Sequence, residues 1–168
     1  LTKSFARLVV LVGHSASTTN NPHAASLNCG ACGGRSGAPN AQYAAALLND
    51  VEVRNGLEGR GIAIPEDTWF AAALHDTTTD AIQLTDQAAA PATHARDLAE
   101  AAAKFEEASR LARAERAPLL GLSAARAGQI FARSGDWSQV RPEWGLARAA
   151  AFIAAPRSRT AGRNLAGR

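Results

Sequence analysis

The sequence predicts an α/β domain with a parallel or mixed sheet and flanking helices. Short apolar runs alternate with stretches of helical periodicity, which is the pattern of α/β proteins. Two of these runs, at residues 8–12 and 69–74, each lead into a polar segment that carries a histidine. The 168 residues, 46% of them hydrophobic, suffice for one domain with a core. Because residue 1 is leucine and methionine is absent, we expect residues 1–168 to belong to a longer protein.

The first predicted element is a buried strand at residues 8–12, which Gly13 ends directly before His14. Ligands of open α/β sheets bind beyond the carboxyl ends of the strands, so His14 is a candidate site residue. The predicted strand at residues 69–74 leads in the same way into His75. For His75, a place in a polar network around the site is as consistent with its neighbours as metal contact is.

A helix is predicted from Ala41 to about Asn49, between the cysteine loop and the second strand. Asn40 is placed to cap it, and the spacing predicts an apolar face of Tyr43, Ala46 and Leu47. The dipeptide Asn55-Gly56 and the glycines that follow are expected to end the helical pattern.

The second half of the chain is predicted to be mainly helical, after a short strand at residues 82–84. The clearest helix spans about residues 95–117, and a further helix is predicted at residues 123–133. Phe152-Ile153 could form one more buried strand. The predicted apolar face of the long helix consists of Leu98, Ala101, Phe105, Ala108 and Leu111.

Cys29 and Cys32 are the only cysteines and lie in a glycine-rich loop that follows His14. Two thiolates and an imidazole are three of the four ligands of a tetrahedral zinc ion. A CxxC pair is equally a pattern of redox dithiols, or of one ligand beside a bystander cysteine. The two other histidines are expected in solvated positions: His23 in a turn and His94 near a helix start.

Charge is distributed unevenly along the chain, although the net charge is only +3. Residues 147–168 contain five arginines and no acidic residue. We expect a solvated basic segment there, with docking on an anionic partner as the alternative. Aromatic residues are not interleaved with these arginines, so nucleic acid is not expected as a partner. The apolar runs are far shorter than the roughly 18 residues of a membrane span.

Four blocks of the sequence, at residues 13–34, 40–57, 61–80 and 134–157, together resemble the DabA family. This family comprises the zinc-containing subunits of a bacterial inorganic carbon transporter and is distantly similar to β-carbonic anhydrases. The resemblance implies an incomplete, Rossmann-like sheet of the β-carbonic-anhydrase type. It also implies that residues 1–168 are the C-terminal part of the zinc-site domain of a larger protein.

The resemblance implies a Zn2+ site with two cysteines, one histidine and one aspartate as ligands. Carried over by motif, the histidine falls on His14 and one cysteine on Cys29. The family's Cys-x-Asp-x-Arg segment has no counterpart here, so the remaining Cys and Asp ligands are expected outside residues 1–168. The family usually has aspartate before this cysteine, where the present chain has Asn28.

The function implied by this resemblance is vectorial hydration of CO2 to bicarbonate, driven by an ion gradient. The expected partner is a DabB-like membrane subunit, and the expected location is peripheral, on the cytoplasmic side of the bacterial inner membrane. Carbonic-anhydrase-like activity is expected only in the full-length protein with its partner, and not in this part alone.

Two alternatives come from other functional classes. One is a thiol redox module in which Cys29 attacks and Cys32 resolves. The other is a non-catalytic scaffold that docks on a membrane complex through Arg157, Arg159 and Arg163. The sequence leaves open which carbon species is transported, which ion drives transport and whether Cys32 contacts the metal.

Overall fold

A computed structural model describes residues 4–19, 28–29, 32–138 and 155–163 of the chain. Its strands and α-helices, in chain order, are β1 (Leu8–Ser15), α1 (Ala38–Asn49), α2 (Val51–Glu58), β2 (Trp69–Asp76), β3 (Ile82–Thr85), α3 (Ala95–Arg116) and α4 (Gln129–Gly135). Within those ranges no helix is both long enough and apolar enough to span a membrane.

The three strands form one mixed sheet in the order β1-β2-β3, which confirms the predicted α/β class. β1 and β2 are parallel, with Leu8 beside Trp69 and Ser15 beside Asp76. β3 returns antiparallel to β2 across the short connection at residues 77–81. A parallel pair requires a longer crossover than a hairpin does, and α1 and α2 lie in that crossover between β1 and β2.

The core lies between α1 and the middle of the sheet. Ala41 and Ala45 of α1 pack against Phe70 and Ala72 of β2, and all four are buried. The small alanine side chains allow the helix axis to approach the strands closely. The partly buried residues around this cluster are Phe5, Val9, Leu11, Leu48 and Ile64.

The predicted apolar face of α1 is wrong, because Tyr43 and Leu47 are 69% and 39% exposed and Ala46 is exposed as well. The reason is the close contact between the start of α1 and the end of β1. A Cβ atom added to Gly13 would lie 2.4 Å from the carbonyl oxygen of Gly37. Only a helix face of small residues fits at such a short distance, so the larger side chains point away from the sheet.

Helix α2 passes through Asn55-Gly56, where the sequence predicted a break. The Asp50 side chain caps its first turn by accepting a backbone hydrogen bond at 3.0 Å. Arg54 ties the helix to the rest of the domain by donating to the carbonyl of Thr68 at 2.6 Å. These contacts offset the low helix propensity of glycine, which costs about 1 kcal/mol relative to alanine.

Helix α3 confirms the long predicted helix, but only the first half of its predicted apolar face is correct. Leu98 is buried and Phe105 is partly buried, whereas Leu111 is 53% exposed and Ala108 is exposed. The last turns of α3 instead direct Arg113 and Arg116 toward the loop that follows β2. Long-range polar contacts therefore replace apolar packing at this end of the helix.

Beyond α3 the predictions have mixed outcomes. The short strand at residues 82–84 is confirmed as β3. The helix predicted at residues 123–133 is instead a 3-10 turn, Ala124–Arg126, followed by α4, because Gly128 separates the two and forms the N-cap of α4. Phe152-Ile153 lies outside the described residues.

A side-chain amide extends the hydrogen-bonding pattern of β2 beyond the end of β3. The Trp69 amide donates to Arg7 on the β1 side, so the backbone groups of the next residue, Phe70, point to the opposite side. There the Phe70 amide donates to Asn49 Oδ1 at 2.9 Å, and Asn49 Nδ2 donates to the Phe70 carbonyl at 2.7 Å. Asn49 thus satisfies both groups where β3 no longer reaches.

We expect Asn49→Ala to lower the free energy of unfolding by about 2 kcal/mol, because it leaves two backbone groups of buried Phe70 without partners. Denaturant unfolding followed by circular dichroism measures the change. Asn55→Ala on exposed α2 is the matched control and should change the value by less than about 0.5 kcal/mol. Equal effects of the two substitutions would contradict the role of Asn49.

Candidate functional site

The two histidines predicted at strand ends lie side by side in the sheet. His14 of β1 is the register partner of His75 of β2. Paired residues of adjacent parallel strands point to the same face, and their strands are about 4.8 Å apart. The repeated pattern of an apolar strand followed by histidine therefore brings two imidazoles to one edge of the sheet. His14 is exposed and His75 is partly buried.

Hydrogen bonds connect the end of β1 to residues that lie before and after the two cysteines in the chain. Asn28 Oδ1 accepts hydrogen bonds from the Ala16 amide at 2.9 Å and from Ser15 Oγ at 3.3 Å. At the other side, the Gly37 amide donates to the carbonyl of His14 at 2.8 Å. These bonds hold the backbone around the cysteines next to the backbone of His14.

Cys29 and Cys32 are brought together by a tight turn. The Cys29 carbonyl accepts hydrogen bonds from the amides of Cys32 at 3.0 Å and Gly34 at 2.9 Å. Gly33 and Gly34 adopt φ values of 65° and 79°, which glycine tolerates without strain. The two Sγ atoms are 2.7 Å apart. Cys29 is only 6% exposed, whereas Cys32 is partly exposed.

The protonation of Cys32 depends on its neighbours. Its hydrogen bond to Cys29 raises the pKa of the Cys32 thiol, and desolvation raises that pKa further. Asn40 acts in the opposite direction, because its Nδ2 donates to Cys32 Sγ at 3.2 Å and so stabilises the thiolate. The sequence predicted Asn40 as the cap of α1, and this is wrong: the N-cap is Gly37, and Asn40 lies in the first turn facing Cys32.

A buried carboxylate lies behind His75. Asp80 Oδ1 is 3.2 Å from His75 Nε2 and forms an ion pair with Arg116 at the end of α3. Arg113, one turn earlier, donates to the Thr79 carbonyl at 3.0 Å. The pairing with Asp80 fixes Nε2 of His75 as the nitrogen that faces the protein interior. His75 therefore takes part in a polar network, one of the two roles that the sequence left open.

The Asp76 carboxylate at the end of β2 accepts three hydrogen bonds from neighbouring side chains and backbone. Asp76 Oδ2 accepts from Ser17 Oγ at 2.6 Å and from Thr79 Oγ1 at 2.9 Å, and Oδ1 accepts from the Thr78 amide at 3.0 Å. A metal ligand needs free lone pairs directed at the ion. Asp76 consequently serves to join the segment after β1 to the turn after β2.

The side chains at this edge of the sheet could supply some, but not all, of the ligands of a zinc ion. An imidazole and a thiolate are ligands that zinc prefers, and His14 and Cys29 lie on segments that hydrogen bonds hold together. Among the residues that the structure describes, no group of three or more His, Cys, Asp or Glu side chains is arranged to hold a metal ion.

The two other histidines have separate outcomes. His94, expected in a solvated position, is buried: Nε2 lies 2.9 Å from the Asp67 carbonyl oxygen and Nδ1 lies 3.1 Å from Thr93 Oγ1. The 3-10 turn Ala92–His94 directs the ring toward Trp69 at the amino end of β2, away from the candidate site. His23 lies outside the described residues.

The fold and the site together define an α/β protein whose candidate metal ligands lie at the carboxyl ends of its parallel strands. The family model described as "Probable inorganic carbon transporter subunit DabA" matches residues 1–168. The chain therefore belongs to the DabA family.

Individual relatives agree with this assignment. "Probable inorganic carbon transporter subunit DabA 2" of Bradyrhizobium sp. (strain ORS 278) is 61% identical over 170 residues. Similar proteins from Xanthomonas axonopodis pv. citri (strain 306) and Roseiflexus castenholzii (strain DSM 13941 / HLO8), both named "Probable inorganic carbon transporter subunit DabA", are 60% and 57% identical. These matches cover 99–100% of this chain but 20% of each relative. No solved structure matches the chain.

We expect Arg116→Leu to lower the free energy of unfolding by about 3 kcal/mol, because the buried carboxylate of Asp80 loses its cationic partner. Arg110→Leu on the same helix is the matched control, since Arg110 pairs with Glu107 in solvent. It should cost less than about 1 kcal/mol. Urea unfolding followed by tryptophan fluorescence measures both, and a loss of equal size would contradict the importance of the Asp80 pair.

We also expect Cys32 of the reduced, metal-free protein to react with iodoacetamide only at higher pH than an ordinary thiol. The thiolate is the reactive form, and the raised pKa of Cys32 moves its formation to higher pH. Cys29→Ala removes the largest cause and should shift the pH midpoint of the rate down, whereas Asn40→Ala should shift it up. Shifts of the same sign would contradict this account.

Proposed function

We propose that this chain is part of a transporter subunit for inorganic carbon and that it supplies His14 and Cys29 to a zinc site. Membership of the DabA family supports the transport role, since relatives bear that name. The main support for the zinc site is a pair of hydrogen bonds, made by Asn28 and Gly37, that hold the loop with both cysteines next to the end of β1. The chain spans one fifth of the length of these relatives, so further ligands have ample sequence to come from.

In this proposal His14 and Cys29 hold one Zn2+ together with a cysteine and an aspartate from outside residues 1–168. Zinc bound there would supply Lewis-acid activation of water for attack on CO2, which yields bicarbonate. An aspartate ligand from elsewhere is consistent with the nearby carboxylates, since Asp76 and Asp80 already have hydrogen-bond and ion-pair partners.

The residues around the two ligands position them. Asn28 fixes the backbone before Cys29, and the burial of Cys29 keeps its sulfur away from bulk water. His75 lies beside His14 in the sheet, and its Nε2 pairs with Asp80, which forms an ion pair with Arg116.

The whole protein would act with a DabB-like membrane subunit and move CO2 or bicarbonate in one direction. The word "subunit" in the names of the relatives supports a complex with other chains, and the word "transporter" supports association with a membrane. We place the protein peripherally on the cytoplasmic side of the bacterial inner membrane.

A thiol redox enzyme is the second candidate function, and the direct contact between the two free cysteine sulfurs favours it. In that function, Cys29 would attack an external disulfide. Cys29 is 6% exposed, so an attacking role fits it less well than a ligand role.

Zinc content tests the proposed site in the full-length protein. We expect His14→Ala and Cys29→Ser to lose bound zinc, because each removes a ligand, whereas Cys32→Ser should retain it. Inductively coupled plasma mass spectrometry of the purified variants gives the zinc-to-protein ratio, and circular dichroism confirms that they are folded. Unchanged zinc in Cys29→Ser would reject Cys29 as a ligand.

Transport is tested separately, by measuring bicarbonate accumulation in cells that contain the membrane partner.

A further inference from the structure

The sulfur atoms of Cys29 and Cys32 are in direct contact, with the Cys32 thiol donating to Cys29. Both cysteines are free thiols. The pair is therefore placed to close into a disulfide, which needs its two sulfurs side by side.

The turn that produces this contact is held by the backbone. The Cys29 amide donates to the Arg35 carbonyl at 3.2 Å, and the Cys29 carbonyl accepts from Cys32 and Gly34. Asn40 at the start of α1 holds the Cys32 sulfur from the other side. Disulfide formation thus requires little rearrangement of the flanking chain.

We infer that Cys29 and Cys32 form a reversible disulfide and that its formation withdraws the Cys29 sulfur from metal binding. The metal-release part of this inference rests on the proposed zinc function, whereas the disulfide itself does not. A disulfide sulfur carries no thiolate charge, and zinc binds the thiolate. The same sulfur cannot serve both states, so oxidation and metal binding exclude each other.

Exposure sets the order of the chemical steps. Cys32 is partly exposed and Cys29 is buried, so an oxidised small-molecule disulfide such as oxidised glutathione meets Cys32 first. The Cys32 thiolate attacks one sulfur, the external S–S bond breaks, and one glutathione thiolate leaves. Cys29 then attacks the Cys32 sulfur and the second glutathione leaves, so two cysteine thiols are oxidised and one external disulfide is reduced.

The test uses the full-length, zinc-loaded protein with oxidised glutathione as the probe. Peptide mass spectrometry reports an internal disulfide as the loss of two hydrogen atoms from the peptide that contains both cysteines. Zinc released to a chromophoric chelator is measured in the same samples, and dithiothreitol is added afterwards. Cys32→Ser, which should retain zinc, and Cys29→Ser, which is tested without zinc and only for glutathione on Cys32, are the matched variants.

We expect the unmodified protein to form the internal disulfide, to lose its zinc and to regain zinc binding after reduction. Cys32→Ser should keep its zinc under the same conditions, because the buried Cys29 has no neighbouring sulfur. Cys29→Ser should accumulate glutathione on Cys32, because nothing resolves the mixed disulfide.

Absence of the internal disulfide in the unmodified protein would overturn the inference, as would equal zinc loss in Cys32→Ser. If the unmodified protein contains no zinc, the proposed function fails, and the peptide mass alone then decides whether the disulfide forms.

Discussion

The close approach of Gly13 and Gly37 is the constraint on which the rest of the structure depends. A Cβ atom on Gly13 would lie 2.4 Å from the Gly37 carbonyl oxygen, and one on Gly37 would lie 2.8 Å from the His14 nitrogen. This contact lets the Gly37 amide reach the carbonyl of His14 and starts α1 directly against the sheet. It therefore sets both the alanine-lined core and the position of the cysteine loop.

Three polar contacts join the four segments that form and surround the candidate site. Asn28 joins the cysteine loop to the end of β1, Asp76 joins that end to the turn after β2, and Asp80 joins the turn to Arg116 of α3. None of these joining residues is itself a candidate ligand. Their effect is to give His14 and Cys29 fixed surroundings, which would lower the entropy cost of binding an ion in the proposed zinc site.

The sequence was informative where a pattern is local and less so where distant groups decide the outcome. The apolar runs and the length of α3 could be predicted from periodicity, and so could the placement of His14 and His75 at strand ends. The buried face of α1 could not, because it depends on a backbone contact between glycines 24 residues apart in the chain.

The residues that support the site could likewise be predicted only where their partners are close in the sequence. The partnership of Asp80 with Arg116 joins residues 36 positions apart, and no spacing rule indicates it. The role of Asn40 was missed because an asparagine before an apolar stretch reads equally well as a helix cap. Asn28 offered a weak signal, since asparagine in a loop often accepts backbone hydrogen bonds.

Asn49 has a consequence for how this sheet can change. The Asn49 side chain pairs with the Phe70 backbone as a further residue of β3 would, and it lies beside a cavity of about 400 Å³ that Asn49, Phe70 and Leu98 help to line. A lengthened β3 would have to compete with this side chain for the same two backbone groups. Insertions after Thr85 should thus be accommodated as loops, and the length over which β3 can pair with β2 is limited by a single residue of a neighbouring helix.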